Sequence, residues 1–295
     1  MNNVQAIQTA KPAKPVKSSL AKRNLYKFFT NRLAIFGLAI VMTMVILAVF
    51  APLLTPYSPT LVDPANKFLE PSSEHWLGTD QLGRDLVARL LYGGRVSIFV
   101  GVASSLCAAG VGCVLGCISG YFGGKIDSVI LYISEIFMVF PQILLVLILV
   151  GFVGQSMANL IIIFTVTGWA SVHRVVRSRI LSLKEETFVE SCRANGIGGF
   201  SIMFRHLLPN TTGPIIVNIT LATAGFLLQE SALSFLNMGV PTDVPTWGNI
   251  INAAKSLTII QNHPIMWIAP GICICLFVLG INFFGDGLRD VLDPT

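Results

Sequence analysis

Six stretches of about 20 mostly apolar residues partition this chain, and their shared length constrains its fold more than any motif does. A helix rising about 1.5 Å per residue needs about 20 such residues to cross roughly 30 Å of hydrocarbon. The stretches cover 33–54, 96–120, 128–151, 158–176, 214–238 and 265–284, separated by polar, charged or proline-bearing segments. Only 12% of the 295 residues are charged and the mean hydropathy is +0.72, whereas soluble domains carry about one quarter charged residues. The pattern predicts an all-α integral membrane protein of six transmembrane helices. The first stretch is too long for the apolar region of a signal peptide, and no small-residue cleavage site follows it.

Lysine and arginine orient the bundle, because basic loops stay cytoplasmic. Before the first span, Lys11, Lys14, Lys17, Lys22, Arg23, Lys27 and Arg32 stand with no acid. That end is expected inside. Segment 55–94, with five acids against three bases, then falls outside, and 173–212, with six bases against three acids, inside. Both termini are expected in the cytoplasm, and residues 1–20 read as a disordered tail. The net charge of +5 sits beside apolar spans, so membrane lipid explains it without nucleic acid.

Two outside segments carry more pattern than loops do. After Pro71, Leu82, Leu86, Val87, Leu90 and Leu91 form an amphipathic stripe with Thr79 or Asp80 as N-cap, read as a short helix lying on the outer surface. Segment 240–264 repeats the idea, with Trp247 as an interfacial anchor. Among the six cysteines, Cys113 with Cys117 and Cys273 with Cys275 offer soft ligands. Small helix-packing residues are the plainer reading, and no metal, cofactor or catalytic residue is assigned.

The most informative segment is Thr187-Phe-Val-Glu190-Ser191-Cys192-Arg193-Ala-Asn-Gly196, followed by Phe204-Arg205-His206-Leu-Leu208-Pro209-Asn210. It predicts two short helices joined by a sharp turn, with the Leu-Pro pair ending the second. Ser191 and Cys192 permit close approach of a partner, and Glu190, Arg193 and Arg205 offer charge pairs that orient it.

This segment resembles the EAA loop of ABC importer permeases, with Glu190, Gly196, Leu208 and Pro209 in register. Ser191 and Cys192 replace its two alanines, and His206 its isoleucine. His75-Trp-Leu-Gly-Thr-Asp-Gln-Leu-Gly-Arg-Asp85, Glu230-Ser-Ala-Leu-Ser-Phe-Leu-Asn-Met-Gly239, Pro245-Thr-Trp-Gly-Asn249 and Gly285-Asp-Gly-Leu-Arg-Asp-Val-Leu-Asp-Pro294 resemble the second permease of the dipeptide, oligopeptide and nickel branch, with Asn237 where that branch has glycine. The resemblance implies the six-helix MetI-like type I fold in a bacterial inner membrane. Its parts would be a basic tail and elbow over 1–32, a first span over 33–54, an outer loop over 55–94, a permease core over 95–288 containing the coupling segment 179–212, and a cytoplasmic end over 289–295. It implies a second homologous permease, two ABC ATPase subunits that bind ATP and Mg, and an extracytoplasmic binding protein. The chain itself has no phosphate-cradling loop, since Gly123-Gly124-Lys125 lacks the earlier glycine and the following hydroxyl.

Acids inside spans are costly unless they face protein, water or a partner. Glu135 and Glu230, with Gln229, are therefore the candidates for the translocation path; the alternative is that each acid pins its helix to a neighbour. Pro141 should kink the third span at Phe140, and His173, Arg174 and Arg177 read as snorkelling residues. No His-Glu-x-x-His or Gly-x-Ser-x-Gly supports an enzyme. A stand-alone secondary transporter is the rival, but it leaves the coupling segment unexplained. For cargo, Gly168-Trp-Ala and Val176-Arg-Ser-Arg-Ile-Leu-Ser-Leu-Lys184 lean toward chelated metal of the nickel type over small peptides.

Overall fold

The computed structural model describes residues 27–292, so the tail reading for 1–20 lies outside the described residues. Among the described residues there are five helices long and apolar enough to cross a membrane, plus one bent pair that brings the number to six if it counts as a span. The helices used below are α1 Arg32–Val49, α2 Leu86–Phe122, α3 Gly124–Val139, α4 Gln142–Val153, α5 Met157–Leu183, α6 Thr187–Ala194, α7 Thr212–Phe235, α8 Trp247–Ala253, α9 Leu257–Asn262 and α10 Ile265–Leu292.

Polar side chains fix where these helices begin. Asn31 Oδ1 accepts from the Leu33 and Ala34 N–H groups at 3.1 and 3.2 Å, and Ser156 Oγ accepts from Asn159 N–H at 3.0 Å. Each satisfies donors that have no partner inside the helix. The N-cap of α2 is Asp85, whose Oδ1 accepts from Ala88 N–H at 2.7 Å. Neither Thr79 nor Asp80 caps it. The expected surface helix is instead the first part of α2, which winds unbroken for 37 residues, about 55 Å, with Leu86 and Leu90 buried.

Packing is tightest along α2 and α5. A Cβ on Gly112, Gly116 or Gly120 would stand 2.6–2.8 Å from the Cβ of Val172, Val176 or Ile180. The glycines recur every fourth residue, and the branched residues facing them do the same. The two backbones therefore approach more closely than any side chain on α2 would allow. On the other side of the bundle, α10 packs on α1, where a Cβ on Gly37 would stand 2.5 Å from Gly280 O. Trp247, expected as an interfacial anchor, is buried: its Nε1 donates to Leu90 O at 3.0 Å and its ring lies on Gly94. The exposed tryptophans of this end are Trp76 and Trp267.

The third span departs furthest from expectation. At Phe140 and Pro141 the chain turns by 93° between α3 and α4. The ring of Pro141 denies Phe140 helical dihedrals, and Phe140 adopts φ −81°, ψ 139°. Ser134 is the one buried residue of α3, so this arm leaves most of its apolar surface open to lipid or to another protein.

Segment 55–85 forms a folded cap at the α2 N-terminus, centred on Asp80. Its Oδ1 accepts from Leu82 and Arg84 N–H at 2.8 and 3.0 Å; Oδ2 accepts from Arg84 Nε at 2.8 Å and from Arg89 NH1. Burial raises the Asp80 pKa, but Arg89, the two backbone donors and Arg84 outweigh it and hold the carboxyl below its ordinary value. His75 Nδ1 donates to Asp85 Oδ2 at 2.9 Å, and its ring lies tilted against that of Tyr57, with centroids 4.7 Å apart. At Gly83, φ is +76° and a Cβ would stand 1.8 Å from Asp63 O, so only glycine fits.

Candidate functional site

At the opposite end of the bundle, α6 stands on a nonpolar footing. Val189 is fully buried in a cluster with Val176, Ile180, Ile202, Met203 and Leu207. The helix stops in a two-bond C-cap: Ile197 N–H donates to Cys192 O at 3.1 Å, and Gly196 N–H to Arg193 O at 2.9 Å. That pattern requires a left-handed residue, and Gly196 supplies φ +74°. A Cβ there would meet nothing within 4 Å, so dihedral angle and not space selects glycine.

The candidate coupling residues divide between two faces. Glu190, Ser191, Gly196, Arg205 and Pro209 are exposed, whereas Cys192, His206 and Leu208 are half-buried. Cys192 packs onto the cluster that holds Val189, which leaves Ser191 as the small residue on the open surface. Glu190 lies in the first turn of α6, where an acid complements the helix dipole, and it has no ion-pair partner among the described residues. Arg193 is exposed too, with its guanidinium carbon 5.7 Å from the centre of the Tyr121 ring.

The second helix of this segment does not end at the Leu-Pro pair. Winding continues unbroken from Gly199 to Phe235, wide over Ile202–Leu207 and tight over Leu208–Thr211. Pro209 has no N–H for the Arg205 carbonyl and its ring crowds that turn. The wider winding, with Leu208 N–H reaching back to Met203 O, absorbs the conflict. The elbow after α6 is thereby one rod with α7.

The path candidates sit in contrasting surroundings. Glu135 is exposed on α3. Gln229 Nε2 donates to Gln142 Oε1 at 3.0 Å, and Gln142 Nε2 to Thr167 Oγ1 at 3.3 Å, so an amide chain ties α7, α4 and α5 together beside the Pro141 break. Glu230 is fully buried and accepts from Ser97 Oγ at 2.9 Å and Ser234 Oγ at 2.7 Å. In this conformation it joins α7 to α2.

Two residues read as snorkelling are held inside the chain. Arg177 donates through Nε and NH2 to Asp127 at 2.5 and 2.6 Å, a bidentate pair between α5 and α3 in which Ser119 Oγ also donates to Asp127. His173 is fully buried against Trp169. Gln142 and Thr167 escaped sequence reasoning, although a glutamine directly after the span's proline was a usable signal. The Asp127–Arg177 pair, 50 positions apart, left no spacing to read.

Comparison with known proteins fits this architecture. Residues 112–295 match the family described as binding-protein-dependent transport system inner membrane component, and residues 19–71 match the N-terminal TM domain of oligopeptide transport permease C. The chain is 42% identical over 264 residues to a dipeptide transport system permease protein of Alkalihalophilus pseudofirmus, covering 90% of this chain and 86% of that one. It is 36% identical over 276 residues to an oligopeptide transport system permease protein of Bacillus subtilis, covering 94% and 90%. It is also 36% identical over 269 residues to a glutathione transport system permease protein of Pectobacterium atrosepticum, covering 91% and 89%. With a membrane-spanning helical bundle and matches along most of its length, this chain belongs to the family of binding-protein-dependent transport system inner membrane components.

Proposed function

We propose that this chain is one of two paired permeases of an ABC importer for small peptides, and that the surface around Glu190 seats an ATPase subunit. The observation that carries the proposal is the elbow itself. Helix α6, whose exposed Glu190 has no ion-pair partner among the described residues, is stopped at Gly196 and anchored through Val189 onto Ile202, Met203 and Leu207 of the rod that runs from Gly199 to Phe235. Force applied at α6 reaches the bundle without a hinge at Pro209, and tilting of the rods would open the path. A second homologous permease covers the exposed arm of α3 and α4, and Glu135 faces that partner or the path. Gln229 and Glu230 act in the resting state as ties between helices. ATP and Mg bind the ATPase subunits, and a binding protein delivers cargo on the side of the 55–85 cap. Both chain ends face the cytoplasm of the bacterial cell.

Peptide cargo is favoured over chelated nickel or cobalt. The relatives compared above are named for dipeptides, oligopeptides and glutathione, and that outweighs the slight lean of the segment 168–184.

The test is reconstitution of the complex, with ATPase copurification and ATP-dependent uptake measured together. Glu190→Lys should leave membrane insertion intact, reduce ATPase recovery several-fold and abolish ATP-driven uptake. Full ATPase retention by Glu190→Lys, or uptake with no ATPase attached, would overturn the coupling role. Growth of a deletion strain on peptides as sole amino-acid source, set against growth under metal limitation, decides the cargo.

A further inference from the structure

Between α5, α7 and α10, at the same end of the bundle as α6, lies a groove of about 240 Å³. Arg179 enters it from the last turns of α5 and Arg289 from the last turn of α10, while Asn218 lines the α7 wall. Neither arginine has an ion-pair partner among the described residues. Asp290 faces elsewhere, accepting from Asn31 Nδ2 at 3.2 Å, and Asp286 is absent from the groove wall. Two guanidinium groups 110 positions apart therefore share a cavity with an amide, and among the described residues no carboxylate lines it.

The groove is graded along the helices. Val175 stands one turn from Arg179 toward the middle of α5, and Leu221 one turn beyond Val217 on α7. A charged mouth at the helix ends thus gives way to a nonpolar strip running toward the centre of the bundle. Where α7 begins and α10 ends, Gly213 lets the Leu292 Cβ approach to 3.2 Å of where its own Cβ would stand, so the two helices close up beside the mouth. A free anion would use only the mouth, whereas a phospholipid uses both parts, its phosphate between the arginines and an acyl chain along the strip.

We infer that this groove binds the phosphate headgroup of an acidic phospholipid through Arg179 and Arg289. It uses none of the residues assigned above to ATPase docking or to the path.

Native mass spectrometry of the importer complex, delipidated in a neutral detergent and titrated with phosphatidylglycerol or phosphatidylcholine, tests it. The wild type should retain phosphatidylglycerol in preference to phosphatidylcholine, and Arg179→Gln/Arg289→Gln should weaken that retention about 30-fold. Arg179→Lys/Arg289→Lys should keep most of it, and Lys184→Gln, outside the groove, should change nothing. Equal retention of the two lipids, or unchanged phosphatidylglycerol binding in the well-folded glutamine double variant, would overturn the proposal. Displacement of phosphatidylglycerol by millimolar inorganic phosphate would assign the mouth to free anions and also overturn it.

Discussion

Ser97 Oγ donates to Glu230 Oε2 at 2.9 Å, joining two helices whose residues lie 133 positions apart. The same hydroxyl accepts from Trp247 N–H at 3.2 Å, so α2, α7 and the start of α8 meet at one oxygen. Glu230→Ala removes the carboxylate that Ser97, Ser231 and Ser234 share and leaves a cavity in the bundle. It should cost about 2 kcal/mol, read as a lowered unfolding temperature in detergent. Glu230→Gln, which keeps the shape, should cost less than half of that. Equal losses would show that the carboxylate and not the filled volume carries the stabilisation, against a cavity term.

Gly196→Ala should cost about 1 kcal/mol of local stability, because the left-handed dihedral and not the surroundings excludes a side chain there. Gly196→Asn should be milder. Limited proteolysis between α6 and residue 199 reports the difference, with Gly198→Ala, where φ is −65°, as the neutral reference.

The seam of α2 and α5 offers a contrast within one helix. Gly110 has nothing within 4 Å of a built Cβ, whereas at Gly112 the Cβ would stand 2.6 Å from Val172 Cβ and 2.7 Å from Trp169 O. Gly110→Ala should be neutral or slightly stabilising, and Gly112→Ala should cost about 1–3 kcal/mol. Chemical unfolding of the two purified variants measures the gap.

Acid should loosen the cap before the bundle. Because the folded-state pKa of Asp80 lies below its ordinary value, its contribution is complete above about pH 4 and fades as pH falls through the depressed value. Hydrogen exchange in segment 55–85 should rise on acidification below about pH 4, while α2 beyond Ser97 stays protected. Asp80→Asn should show the same loosening at neutral pH.

Hydropathy placed the spans because lipid leaves a helix no alternative, and length and composition suffice for that. It placed their ends less well. Leu86 to Leu91 read as an amphipathic surface helix because the stripe is real, but Asp85 caps a helix that runs on through Arg95 and into the span. Pro141 announced a kink, yet only the extended dihedrals of Phe140 turn a kink into 93°. At Pro209 the reverse held: a residue that normally stops a helix is absorbed by a wider turn. Gly196 was legible because its role is local, fixed by φ alone. Ser97 with Glu230, Asp127 with Arg177, and Gln142 with Gln229 were not, since each pair meets only after the helices have packed.

The interdigitation of Gly112, Gly116 and Gly120 with Val172, Val176 and Ile180 bears on how such a machine can move. A slip of α2 past α5 by a single residue would drive branched carbons into main chain, so these two helices travel as one beam. Any alternation between inward and outward states must then be taken up where the joinery is thin. In this chain that is the α3 and α4 arm, whose buried residues are Ser134, Val146 and Val150 and which is otherwise tied to its neighbours by the Asp127–Arg177 pair and a short run of amides.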